Sequence, residues 1–144
     1  MEKHYRYSDE AYEQKFEEGK FPPLYFSHEA HLRLAYIHLK KYGLDRSIEN
    51  MCKQIYDFAI KYGATMKFNA TVTYASLQIM YYYMKEGKSD DFPGLMEEYP
   101  NLLKDFKGEI QKYYSWDVFR SPEAKAKIHE PDLKPFAYAA AIDR

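Results

Sequence analysis

The stretch "FNATVTYASLQIMYYYM", residues 68–84, carries no charged side chain and constrains the fold more than any other part of the chain. Stepped at about 100° per residue, Val72, Ala75, Leu77, Ile79, Met80, Tyr81, Tyr82, Tyr83 and Met84 spread around every side of a helix. A helix that is apolar all round must be covered all round, in the middle of a bundle or in an oligomer interface. The stretch falls short of the roughly 20 predominantly apolar residues that span a bilayer, and it contains Asn, Thr, Ser and Gln. The expectation is a buried helix of a soluble protein, from about Asn69 to Glu86 with Gly87 after it.

Three further helices can be placed around it. Ser8 is a good N-cap for a first helix reaching about Glu18, with Gly19 as its stop. The segment "FPPLYF" then makes an extended connection, because proline restricts both itself and the residue before it. Ser27 caps a second helix that continues to Tyr42 and ends at Gly43. Asp45 or Ser47 opens a third, closing at Gly63, in which Ile48, Met51, Cys52, Ile55, Phe58, Ala59 and Tyr62 follow the i, i+3, i+4, i+7 rule. Beyond Gly87 the pattern shortens. "SDDFPGLMEEYP" suits one or two turns, "NLLKDFKGEIQKYY" another weakened by Gly108, and "SWDVF" and "SPEAKAKI" each begin with a serine cap. "HEPDLKPF" reads as extended, and an extended tail begins at about residue 129. No alternating strand pattern is present, so the fold class is all-α: a bundle of four main helices with several short C-terminal ones, in one domain spanning 1–144.

Composition removes several function classes. Lys plus Arg number 21 against 22 for Asp plus Glu, without the basic excess expected of a nucleic-acid binder. A single cysteine, Cys52, precludes an intrachain disulfide and suits a reducing compartment. Its place on the apolar stripe of the third helix predicts a buried, inert thiol. The opening "MEKHYRYSDE" has charges where a signal peptide needs an apolar run, which predicts a cytoplasmic chain. Sixteen tyrosines against one tryptophan imply a core threaded by hydrogen bonds, since each buried phenol needs a partner. No G-x-S-x-G, no H-E-x-x-H and no phosphate-cradling glycine loop occurs.

The candidate site lies in "FSHEAHLRLAYIHLKKYG", residues 26–43, where three histidines share one helix. Taking His28 as the origin, His31 falls near −60° and His38 near −80°, at about 100° per residue, which puts His28 at the centre of the inner face and His31 at its edge. One turn apart, the two imidazoles could address one small ligand or one metal ion. Two histidines are half a metal site, and Glu29 points away, so a third ligand must come from elsewhere. Against this stands a structural role, a buried histidine bonded to a tyrosine hydroxyl or a backbone carbonyl. Leu34 and Ile37 on the far side imply a helix covered on more than one face. His38, near the helix end, reads as structural or solvent-facing, and His4 as part of a frayed terminus. Asn69, Thr71 and Thr73 open the uncharged helix and serve either as caps or as the polar wall of a pocket. "HEPD" offers His129, Glu130 and Asp132 on a segment able to fold back across the helices. Arg33, opposite the histidines, predicts a surface ion pair.

These same segments resemble a family of small bacterial helical proteins without an assigned activity. Phe26, His28, His31, Leu32 and Ala35 match its F-x-H-x-x-H-L signature. Phe68, Thr71 and Thr73 match a mid-chain aromatic-H-x-T-x-T signature, and Tyr113, Tyr114, Ser121, Ala124, Pro131 and Asp132 match a C-terminal one. The resemblance extends over residues 15–133 and implies a shared pocket. Asn69 stands where that pattern has histidine, and an amide oxygen is a weak ligand for zinc or iron, so a shared metal is placed in doubt.

Three functions follow as expectations. The first is binding of a small ligand in a tyrosine-lined pocket where the second and fourth helices meet, with His28, His31, Asn69, Thr71 and Thr73 as its polar groups. The second is a metal-dependent hydrolase, with a divalent ion held by His28, His31 and Asp132 or Glu130 and a bound water as nucleophile. The third is a homodimeric interaction module without catalysis, using the tyrosines of "YYYM". None involves nucleic acid or a membrane.

Overall fold

The computed structural model describes residues 1–138 and 140, and among these it is helical without a strand. Four main helices come first: α1 (Asp9–Glu17), α2 (His28–Tyr42), α3 (Leu44–Lys61) and α4 (Ala70–Glu86). Four short ones follow: α5 (Phe92–Glu98), α6 (Asn101–Lys104), α7 (Phe106–Gln111) and α8 (Pro122–Ala126). Short 3-10 turns at Lys3–Arg6, Pro23–Tyr25 and Thr65–Lys67 precede α1, α2 and α4. The expected serine caps are in place, Ser8 accepting from Ala11 N, Ser27 from Ala30 N and Ser121 from Ala124 N. "SWDVF" does not form a helix; it is a run of bends and turns held by Asp117 Oδ1, which accepts from the backbone of Phe119 and Arg120.

Helix α4 is the central rod. It packs against α2 and α3 on one side and receives α7 and α8 on the other. From Ala70 to Met80 every side chain is buried except the half-buried Val72, which is what an all-round apolar surface demands. The tyrosines at its C-terminal end are half-buried and covered by the chain itself. Tyr138 meets Tyr81 edge-on, Tyr99 lies against Tyr83, and the Tyr83 hydroxyl donates to Glu109. "YYYM" is therefore largely occupied within the fold. No helix among the described residues is long and apolar enough to cross a membrane.

The junction of α2 and α3 is tighter than the sequence pattern indicates. Gly43 ends one helix and begins the next, its N–H donating to Leu39 O and its carbonyl accepting from Ser47 N. Its φ of +81° lies in the left-handed region, where a side chain would be strained. Helix α3 consequently starts at Leu44 rather than at Asp45 or Ser47. Gly108 has a different job. Asp105 separates α6 from α7 and caps the latter through Gly108 N, and a Cβ there would collide with that carboxylate. This glycine permits the break that divides "NLLKDFKGEIQKYY" into two helices.

Two charged groups depart from expectation. Arg33 makes its ion pair with the exposed Asp9, but is itself buried, at 5% exposure. Its guanidinium donates to His4 O at 2.7 Å, Tyr7 O at 2.8 Å and Asp9 Oδ1 at 2.9 Å, and lies over the rings of Tyr5 and Tyr12. The planar, five-donor head suits this role because it can satisfy several oxygens while its faces rest on aromatic rings. His4, expected to fray, is fully buried beneath it. The N-terminal turn is thus clamped onto α1 and α2. Arg33→Ala removes the side-chain donor to Tyr7 O and one of the two donors to His4 O, and should cost about 2–4 kcal/mol of stability in urea unfolding, with amide exchange accelerating first over residues 4–9.

Candidate functional site

The start of α2 is built as a hydrophobic staple. With Ser27 as N-cap, Phe26 occupies the position before the cap and His31 the fourth helical position, the two places whose side chains meet in that motif. Their rings stack at 5.2 Å with planes 17° apart. The spacing of the F-S-x-x-x-H run is therefore first a packing device, with an imidazole in the place of an aliphatic group.

His28 and His31 part company. His28, at the first helical position, is exposed rather than central to the inner face; its Nε2 donates to Leu102 O at 2.9 Å and its ring lies 5.3 Å from Phe106. It caps a carbonyl at the end of α6, a bond that helix would otherwise lack. His31 turns the other way, toward α3 and the approach to α4. The pair does not address one ligand.

His31 lines a pocket of about 440 Å³. Phe26 and His31 form one wall, Ile55, Phe58 and Ala59 of α3 the floor, and Phe68 the side leading into α4. Leu24, Tyr62 and Lys67 stand at the remaining edges, Leu24 almost fully exposed. The pocket lies between α2 and α3 rather than between α2 and α4, and it is lined by three phenylalanines and one tyrosine. The tyrosine hydroxyls are used elsewhere, as a core threaded by hydrogen bonds requires: Tyr12 donates to Ala30 O, Tyr114 to His129 O and Tyr62 to Gly19 O.

The Nε2 of His31 is out of contact with water and has no hydrogen-bond partner among the described residues. Burial, with the neighbouring His28 as a lesser cause, pushes its pKa down to about 4. The ring is neutral at pH 7, with one N–H and one lone pair. So weak a base is a poor proton acceptor at neutral pH, where a general base should titrate near the working pH. The arrangement is suited to holding a hydrogen-bonding group against an apolar wall and unsuited to acid–base turnover.

The polar start of α4 is spent inside the fold. Asn69 Oδ1 caps the helix through Val72 N at 2.9 Å, while its Nδ2 donates to Val118 O at 2.7 Å. Thr71 Oγ1 donates to Lys127 O at 2.7 Å and accepts from His129 N at 3.1 Å. Thr73 donates to Asn69 O one turn back. None of the three lines the pocket beside His31. In the fold they act as braces, because the segment 118–129 crosses here and needs backbone partners.

The "HEPD" segment does fold back across the helices. Glu130 accepts from the Tyr74 hydroxyl, and Asp132 accepts from the backbone N and the hydroxyl of Ser115, which hold its carboxyl below the usual range. His129 Nε2 donates to Glu123 O. Asp132 is thereby fixed to the 113–115 turn and does not join His28 and His31. Among the described residues the group of three that brings its potential ligand atoms within 4.8 Å is Glu2, His4 and Glu29, the last of them in the first turn of α2. The isolation of His38 is structural: fully buried, it accepts from Asn50 Nδ2. Cys52 is half-buried, its thiol pushed up to about 11 by burial, as an inert side chain should be. Sequence reasoning missed Ile55, Phe58 and Ala59 as pocket residues, although their i, i+3, i+4 spacing faces the same way as the staple.

Comparison of the chain with family models, with curated proteins and with solved structures returns no match.

Two outcomes follow from this geometry. Thr71→Val removes the partners of Lys127 O and His129 N and should cost about 1–3 kcal/mol, with faster amide exchange at His129 than at Met80 as the local signature. The second concerns pH. Folded His31 takes its proton only near pH 4, whereas the unfolded chain takes it near 6.5, so the unfolded state binds the proton first. Stability is full above about pH 6.5 and falls toward pH 4 by up to about 1.4 kcal/mol per unit from this group. Buried His4 and His38 shift in the same direction. His31→Leu should flatten the acid limb of a stability–pH curve measured by urea unfolding.

Proposed function

We propose that the protein binds a small, largely apolar ligand carrying one hydrogen-bonding group, in the pocket between α2 and α3. The observation that carries this reading is His31, which lines a mainly phenylalanine and aliphatic pocket and whose buried Nε2 has no hydrogen-bond partner among the described residues. An unmade hydrogen bond of that kind costs about 1–3 kcal/mol, and a ligand that supplies the partner recovers it on binding. The volume falls in the range of small-molecule sites, which are commonly apolar with a few placed polar groups. Exposed Leu24 and half-exposed Tyr62 at the mouth extend the apolar surface outward, and Lys67 places a cation at the rim. That cation favours a ligand with an acidic end, such as an aromatic carboxylate.

The resemblance to small bacterial helical proteins bears on the same place. Phe26 and His31 belong to the first signature and Phe68 to the second, and all three line the pocket. We propose that the binding site is what those signatures share. A metal-dependent hydrolase built on His28, His31 and Asp132 has no comparable support, since each of these residues faces different partners.

The test uses indole-3-acetate, benzoate and naphthalene-2-carboxylate as probes in NMR titrations of the labelled protein. Shifts should concentrate at Phe26, Ala59 and Phe68, with submillimolar affinity for at least one probe and weaker binding for the uncharged naphthalene. Ala59→Trp fills the floor and should abolish these shifts while the far-UV circular dichroism stays unchanged. Absence of localised shifts with every probe at millimolar concentration would falsify the reading.

A further inference from the structure

The clamped N-terminal turn creates a second site, which shares no lining residue with the His31 pocket although both touch the first turns of α2. His4 is fully buried, and its Nε2 makes no well-directed hydrogen bond among the described residues, facing two carboxylates instead. That nitrogen lies 3.4 Å from Glu2 Oε1 and 3.4 Å from Glu29 Oε2. One ligand atom from each of the three residues falls within 4.8 Å of the others. Ligand atoms around a tetrahedral ion with bonds of about 2.0–2.1 Å sit about 3.3–3.4 Å apart, because a tetrahedral edge is about 1.63 times the bond. The two nitrogen–oxygen separations are those of an imidazole and two carboxylates on a zinc-sized tetrahedral ion.

We propose that Glu2, His4 and Glu29 form a binding site for a divalent transition-metal ion of the zinc class. The imidazole in the set disfavours calcium and magnesium, which take oxygen, and the mixture of nitrogen and carboxylate suits zinc. Two carboxylates neutralise the ion's charge. Glu2 is oriented from outside by the Ser27 hydroxyl, the arrangement that fixes ligands at metal centres. Glu2 and Glu29 also line a surface depression with Met1, Tyr5 and Pro93, from which a water could supply the fourth ligand.

Arg33 sets the strength of this site. Its Nη1 lies 3.3 Å from His4 Nδ1. A ring bound to metal through Nε2 carries its proton on Nδ1, so the guanidinium must lean onto its oxygen partners His4 O, Tyr7 O and Asp9 Oδ1. Asp9 balances the nearby positive charge. This adjustment opposes binding and makes the site weaker than a preorganised structural zinc centre, with a dissociation constant on the order of micromolar.

The experiment is calorimetric titration of the full chain with zinc chloride at pH 7.5, repeated with cobalt(II) for its visible absorption, with histidine ring signals followed by NMR. One equivalent of zinc should bind, shifting His4 and leaving His31 and His129 unmoved, and cobalt should show the intense visible bands of a tetrahedral ion. Glu29→Gln and Glu2→Gln, both on partly exposed positions, should each weaken binding at least tenfold without changing the circular dichroism. His31→Leu should leave it unchanged, which separates this site from the ligand pocket. No binding at millimolar zinc, undiminished binding in the Glu2→Gln/Glu29→Gln double variant, or zinc shifts at His28 or His129 instead of His4, would each overturn the proposal.

Discussion

Everything in this fold answers to the need to cover α4. A rod with apolar side chains on every side leaves no face for solvent, so α2 and α3 alone are insufficient and the C-terminal half must wrap the remainder. That wrapping brings irregular backbone against a buried helix, where each N–H and C=O needs a partner. The residues that open α4 supply them. Asn69 and Thr71 hydrogen-bond the loop from Val118 to His129, which crosses at that level. Tyr74 and Tyr114 extend the same service deeper, to Glu130 and to His129 O.

A second polar centre does for the N-terminal end what Asn69 and Thr71 do for the C-terminal one. Arg33, inside the bundle, gathers the carbonyls of the first turn and a carboxylate at the start of α1. Buried polar groups of this kind add little net stability when satisfied and cost much when broken, so they act as registration marks for the segments they join. The hydrophobic core drives collapse, and these two centres determine which irregular segments lie on which side of it.

Much of the architecture was legible in the residues. The serine caps, the amphipathic stripe from Ile48 to Phe58 and the all-round apolar run each rest on local periodicity, and each is present in the fold. The far-side Leu34 and Ile37 indicated that α2 is covered twice, and both are buried. The site was legible only in part. His31 was found, because histidine on an apolar face stands out. His28 was misplaced, because a helical wheel gives direction but not which neighbour occupies it, and α6 occupies the space beside it. The bracing by Asn69 and Thr71 is not legible, because their partners lie some fifty residues further on, a distance no local pattern spans. Arg33 failed for the same reason: its charge announces a surface, and only long-range backbone makes burial tolerable.

The stack of Phe26 on His31 joins two things that are usually separate. One ring governs the angle at which the polypeptide enters α2, and the other forms part of the pocket wall. Any occupant that tilts the imidazole must also move its companion, and with it the proline-rich connector from α1. The cavity therefore has a lever attached, and its free end reaches the surface at Leu24.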